Sequence, residues 1–244
     1  MITELGLAPE RFAFLKSVEQ SHFWFVARRY LVEGLVNRAI TEPVDLLIDV
    51  GCGPGLNLAT WRSLAKTVVG IDQQVMTTGS ASEDIRIGDA DKLPFADSAV
   101  DVVLLLDVLE HVDDESALRE ANRVLRGGGN LVVAVPAHPW LWGARDIGAH
   151  HLRRYSLRTL KTRLSAAGFE IVTLRPYQFL LFPAVALSRL FGKVSPAARD
   201  LEDRPQRALN AVLSLINRFE VWLSLKVGPM PTGSSYIAVA RKRS

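Results

Sequence analysis

Three carboxylates in the first ninety residues close three short apolar runs. Asp49 ends the branched stretch Val44-Asp-Leu-Leu-Ile-Asp49, Asp72 ends Thr67-Val-Val-Gly-Ile-Asp72, and Asp89 ends Ile85-Arg-Ile-Gly-Asp89. The first run passes through Val50 into Gly51-Cys-Gly-Pro-Gly55, with glycine at every second position. Such a turn lets the backbone bend sharply and approach a ligand without interference from Cβ. A dinucleotide fingerprint needs glycine at position 56, where this chain has Leu56. Asp49, just before the turn, would repel a pyrophosphate and attract an ammonium group. The ligand expected here is therefore a nucleoside with a cationic tail, and S-adenosylmethionine fits. Asp72 lies about twenty residues on, where an acid takes both ribose hydroxyls. Asp89 and Ala90 stand where a carboxylate accepts from the adenine amino group.

A second set of residues suits proton handling. Methyl transfer from a sulfonium is an in-line displacement, so the protein mainly aligns the partners. A hydroxyl acceptor gains from a base that removes its proton. His111 follows the run Asp101–Glu110 and is either such a base or a cap for a helix beginning near Asp113. Asp146, His151 and Tyr155 form a further constellation: an acid to orient a histidine, and a tyrosine hydroxyl to hold the acceptor oxygen. Arg153 and Arg154 either clamp a phosphate or hold a loop by ion pairs. His138 either meets the acceptor or packs beside Pro139 and Trp140. Cys52 reads as a small residue in a tight turn, and no metal ligands are read.

The elements that must position these groups alternate. Residues 9–40 read as a helical segment that Pro9 can open. Short β-rich runs and helical patterns then alternate from 44 to 136, which implies a parallel α/β sheet. Asp113-Asp-Glu-Ser116 starts a helix with acids in its first turn. Residues 156–167 form another helix, stopped by Gly168. Strands follow at 169–174 and, near the C-terminus, at 236–240. Between them lies an apolar insertion: Pro176–Ser188 is free of charge, and Arg207–Val227 carries Leu209, Val212, Leu213, Ile216, Phe219, Trp222 and Leu223 at helical spacing. This second stretch is an amphipathic helix packed on the domain, a lid over an apolar acceptor, or an element resting on a membrane surface.

The run from Val44 through Gly55, the strand-end acids, Leu93-Pro-Phe-Ala-Asp97, Asp101–Val112 and Glu120–Gly129 together resemble the class I S-adenosylmethionine-dependent methyltransferases. His22-Phe-Trp-Phe-Val-Ala-Arg-Arg29, Val135-Pro-Ala137, Asp146, His151-Leu-Arg-Arg-Tyr155 and Ala167-Gly-Phe169 are similar to a bacterial subgroup often linked with glycan and glycolipid biosynthesis. One departure is His150, where that subgroup usually has glycine. The resemblance implies a Rossmann-like, seven-stranded, mostly parallel sheet in a single domain over 1–244. Its parts are an N-terminal helical cover (1–43), a cofactor-binding core (44–175), a helical insertion (176–234) and a last strand (235–244). It also implies a cofactor set of Arg28, Asp49, Gly51, Gly53, Gly55, Asp72, Gln73, Asp89, Ala90 and Asp107. It places the subgroup's acid, histidine and tyrosine at Asp146, His151 and Tyr155; with His111 these are the catalytic candidates, and Arg153, Arg154 and His138 are the candidates for meeting the acceptor.

Charge divides the chain. Residues 1–136 hold 12 Lys and Arg against 20 Asp and Glu, a balance of −8, whereas residues 137–244 hold 17 against 6, a balance of +11. The basic half suggests an anionic partner: a phosphorylated, nucleotide-linked or lipid-linked acceptor, or an anionic membrane surface. No nucleic-acid recognition module is read. One cysteine, no zinc-like spacing and no signal-peptide pattern suggest a cytoplasmic protein, peripheral at most to the membrane. The function expected is O-methylation of a glycan, glycolipid or related intermediate. The alternatives are a small aromatic or quinone-like acceptor, or a non-catalytic cofactor-binding partner subunit.

Overall fold

The computed structural model describes Ala13 and residues 17–40, 44–74, 84–190 and 205–243. Pro9, the expected helix opener, lies outside them. Seven strands form one sheet: β1 (Leu46–Val50), β2 (Thr67–Asp72), β3 (Ile85–Ile87), β4 (Val100–Leu106), β5 (Leu125–Pro136), β6 (Phe169–Tyr177) and β7 (Ser235–Lys242). Their order is β3-β2-β1-β4-β5-β7-β6. Strands β1 to β5 pair in parallel, and β7 runs antiparallel between β5 and β6. The winding therefore reverses between β1 and β4. In an open α/β sheet the crevice beyond the carboxyl ends of the strands at that reversal is where ligands bind.

Strand alternation builds a core on each side of the sheet. Ile48, Val103, Leu105 and Val133 face one layer, made by helices α3 (Asp114–Val124) and α5 (Leu157–Ala166). Leu47, Val102, Leu104 and Val132 face the other, made by α1 (Phe23–Ala39) and α2 (Leu58–Trp61). Helix α1 buries Ala27, Leu31, Leu35 and Ala39, one per turn, and His22 caps it by accepting from the Trp24 amide. Among the described residues the other α-helices are α4 (Ala144–Gly148), α6 (Phe182–Leu190) and α7 (Arg207–Lys226).

The expected helix at 207–227 is present, but the face it packs is largely polar, with Val221 as its buried apolar residue. Asn217, Glu220 and Ser224 are buried, while Phe219 and Trp222 are 54% and 52% exposed and stack on each other in the open. Specific bonds explain the inversion. Glu220 accepts from the Phe179 and Leu180 amides, both at 2.9 Å, and Asn210 accepts from the Phe23 amide at 2.9 Å. Asn217 donates to the Tyr177 hydroxyl. The inner face of α7 thus satisfies backbone at the ends of β6 and α1 that would otherwise be orphaned.

Candidate active site

At the carboxyl ends of β1 to β3 the glycine turn takes the left-handed backbone its residue types allow. Gly51, Gly53 and Gly55 have φ of +72°, +54° and +71°. A Cβ on Gly51 would lie 2.6 Å from Val108 Cγ2, so a side chain there would collide with the loop after β4. The space a Cβ would take on Gly53 is open to 4 Å, and its amide donates to Asp72 Oδ2 at 2.8 Å. Gln73 donates from Nε2 to Asp89 Oδ1 at 2.8 Å. Asp72, Gln73 and Asp89 therefore form a polar row across the ends of β2 and β3, with Ala90 half-buried beside them.

Asp49 occupies a different setting from the one its position suggests. It is buried and accepts from Trp61 Nε1 at 2.8 Å. Burial pushes its pKa from 3.8 up to about 7; Trp61 and Arg28 oppose this, while Glu19 and Asp72 add to it. The native state thus holds this proton more tightly than the unfolded chain does. Stability falls as pH rises from about 4 to 7, and the full cost is present above that range. Asp49→Asn should therefore stabilise the cofactor-free protein at pH 8 by on the order of 2–4 kcal/mol more than at pH 4. Urea unfolding at the two pH values measures this, and a pH-independent difference would contradict it.

Arg28 is buried, with its guanidinium 4.4 Å from the Trp24 ring centroid and its Nη1 donating to Asp107. Asp107 has φ of +59° just after β4. The pair ties helix α1 to the residue just after β4, beside the sheet's reversal.

The acceptor side is assembled from the loop after β4 and the segment after β5. The Leu152 amide donates to the Glu110 carbonyl at 2.6 Å. Tyr155 is tied by its backbone to the end of β5 and the loop after it: its N donates to Pro136 O at 2.9 Å and its O accepts from His138 N at 2.8 Å. These ties bring the His151 ring to 4.8 Å from His111, edge to face. His151 Nδ1 lies 3.0 Å from Asp146 Oδ1. A carboxylate at Nδ1 favours the tautomer with its proton there, which leaves Nε2 as the acceptor. Asp146 is fixed in turn by Arg154 Nε at 2.7 Å and the Gly143 amide at 2.9 Å. Burial acts to raise its pKa, but His151, Arg154 and Gly143 together hold it at about 2.

The structure separates the two neighbouring histidines. His150 is exposed with φ of +56°, a conformation natural to glycine, and His151 is the one that meets Asp146. Tyr155 does not join this group. It is 0% exposed, and its hydroxyl is bound to the Leu109 carbonyl at 3.1 Å and Asp114 at 2.9 Å, out of reach of an acceptor. Burial also raises its pKa. Neither arginine is placed as a phosphate clamp. Arg153 donates to the Leu109 and Val112 carbonyls, and Arg154 to Asp146 and the Ala137 carbonyl, so both hold loops. His138 contacts Thr232 at 2.9 Å and packs with Trp140, Phe182 and Tyr236, forming an aromatic wall at the end of β5.

Two residues escaped the sequence reading. Trp61 is the partner of Asp49, a pairing that no local pattern signals. Glu110, beside His111, is buried at 1% exposure, and its pKa is pushed up to about 8 by that burial, against Arg28 and Arg154. Its signal was an acid within the apolar run Val108-Leu-Glu-His-Val112.

The family described as a methyltransferase domain matches residues 48–133. A Mycolicibacterium smegmatis protein named a probable S-adenosylmethionine-dependent methyltransferase is 29% identical, over 64% of this chain and 63% of that one. The chain thus spans less than two thirds of that relative. Residues 48–133 thus fall in the methyltransferase-domain family, and the chain is similar to proteins named as S-adenosylmethionine-dependent methyltransferases. The ubiquinone biosynthesis O-methyltransferase of Parvibaculum lavamentivorans is 28% identical over 67% of this chain and 70% of its own length. The methyltransferase fold is shared with a protein solved in complex with the Haloferax volcanii Trm112 methyltransferase activator, at a TM-score of 0.60 and 17% identity, covering 97% and 95% of the two chains. The methyltransferase cofactor that family and fold imply is S-adenosylmethionine. The positive-φ glycine turn, the open space at Gly53 and the Asp72–Gln73–Asp89 row fit it.

Proposed function

We propose that the protein methylates an oxygen of an acceptor held against His111 and His151. The observation that carries this reading is His151, held by Asp146 and set edge-on to His111, on the segments that follow β5 and β4. S-adenosylmethionine supplies a methyl group already activated by its sulfonium charge. Asp72, Gln73, Asp89 and Ala90 would hold the nucleoside, Gly51, Gly53 and Gly55 would let the backbone approach it, and Asp49, Arg28 and Asp107 would face its amino-acid end. Asp146 keeps His151 oriented, so that Nε2 meets the acceptor hydroxyl. Labelled cofactor offered with a panel of acceptors tests the reading, and transfer to none of them would oppose it.

For the acceptor we favour an anionic, partly apolar molecule such as a glycolipid or another lipid-linked intermediate. With Arg153 and Arg154 engaged in loops, this preference rests on the basic balance of residues 137–244 and on the outward stripe of α7. Leu209, Val212, Leu215, Phe219 and Trp222 all lie exposed on that helix. No helix among the described residues is long and apolar enough to cross a membrane, so this stripe suits surface contact. Phe219→Ser with Trp222→Ser should abolish salt-sensitive binding to anionic liposomes and leave the melting temperature nearly unchanged. A large fall in melting temperature, or unaltered liposome binding, would contradict the surface role.

A second reading, a small aromatic or quinone-like acceptor, is supported by the aromatic wall of His138, Trp140, Phe182 and Tyr236. The name of the Parvibaculum relative points the same way. Transfer only to ring hydroxyls in the panel would select it.

A further inference from the structure

Glu110, His111 and His151 each present one potential ligand atom, and these atoms lie within 4.8 Å of one another. They come from two chain segments joined by the bond from the Leu152 amide to the Glu110 carbonyl. Glu110 is almost completely buried, and its Oε2 has no hydrogen-bond partner among the described residues. A buried carboxylate oxygen left unpaired is costly, and native structures keep few of them. Ligation would satisfy it.

Two imidazoles and one carboxylate are a donor set that suits divalent first-row transition ions and leaves coordination positions open. The outer shell has the matching form. A ligating imidazole commonly gives its other ring nitrogen to a carboxylate, and His151 Nδ1 is held by Asp146 in that way. Nε2 is then the atom His151 has to offer. Nearby cations are already neutralised, Arg28 by Asp107 and Arg154 by Asp146. Bonds to an ion of about 2.0–2.2 Å require the three donor atoms to close to about 3–3.5 Å. His111 and His151 are only partly buried, and rotation of their rings supplies that movement.

We propose that Glu110, His111 and His151 bind a divalent transition-metal ion, with Asp146 as a positioning residue, and that the open positions chelate two adjacent oxygens of the acceptor. What the ion does rests on the methyltransferase reading; whether it binds does not. With the ion bound, His151 Nε2 acts through it and not as the base itself: the acceptor hydroxyl, made more acidic by the ion, loses its proton to water. Its oxygen forms the bond to the methyl carbon as the sulfonium C–S bond breaks, and the thioether leaves uncharged. A vicinal diol of a sugar and a catechol share the required oxygen pair.

The test is titration of the full chain, freed of metal by a chelator, with Co²⁺, followed by calorimetry and by the visible absorption of the bound ion. No cofactor or acceptor is present. One Co²⁺ per chain is expected, with a spectrum of nitrogen and oxygen donors. Glu110→Gln and His151→Ala should each weaken binding by about 100-fold, and Asp146→Asn by about 10–100-fold. His150→Ala should leave binding unchanged. Circular dichroism confirms that each variant is folded, and Glu110→Gln, being of the same shape, guards against a loss that merely reports unfolding. Absence of Co²⁺ binding, or equal binding by wild type, Glu110→Gln and His151→Ala, would overturn the proposal. If S-adenosylhomocysteine still binds in that case, the methyltransferase reading survives and the ion alone is lost.

Discussion

Alanine at His151 should lower kcat by about 10²-fold or more while the affinity for S-adenosylhomocysteine stays where it was. The imidazole belongs to the segment after β5 and is tied to Asp146 and set against His111. The residues assigned to the nucleoside sit at the ends of β1 to β3, on other segments. Loss of the ring therefore removes a group that meets the acceptor, by proton transfer or through an ion, and leaves the nucleoside side intact. His150→Ala, one residue away and exposed, should change kcat little. Steady-state kinetics on both variants, with calorimetry for the cofactor product, decides the matter. Equal losses from the two substitutions would mean that the segment only supports the fold.

Asp72→Ala has the opposite signature, weakening cofactor binding by about 2–4 kcal/mol, which is about 30-fold or more. In the structure this carboxylate already accepts from the Gly53 amide at 2.8 Å and the Gln74 amide at 3.3 Å, so it ties the glycine turn to the end of β2. Charge-assisted bonds of this kind contribute about 1.5–3 kcal/mol each, in part replaced by water when the side chain is gone. The substitution removes the acceptor for the ribose and loosens the turn together. Asp72→Asn keeps one acceptor oxygen and should lose less. Unchanged affinity in Asp72→Ala would remove the ribose role.

The strands and the glycine turn of the first half were legible because their signals are local. A β-rich run, a glycine turn and an acid at each strand end are set by neighbours in sequence, and the strands follow from the same pattern. What was not legible depends on distant partners. Periodicity located α7, yet it could not tell which face would pack. That was decided by Glu220 meeting the Phe179 and Leu180 amides some forty residues away in sequence. Tyr155 has the residue type of an acceptor ligand, but its hydroxyl is committed to Asp114 and the Leu109 carbonyl. Arg153 and Arg154 were likewise open to either role until their carbonyl partners were in place. The choice between His150 and His151 turned on which ring meets Asp146: His151 does, while His150 lies exposed at a φ of +56°.

Calorimetry of the full wild-type chain with S-adenosylhomocysteine tests the central claim most directly. The account predicts saturable, one-to-one binding that is sharply weakened by Asp72→Ala and indifferent to His151→Ala. No heat of binding to the folded wild-type chain, together with no rise in its melting temperature at saturating ligand, would contradict the assignment of the glycine turn and the strand-end acids to this cofactor.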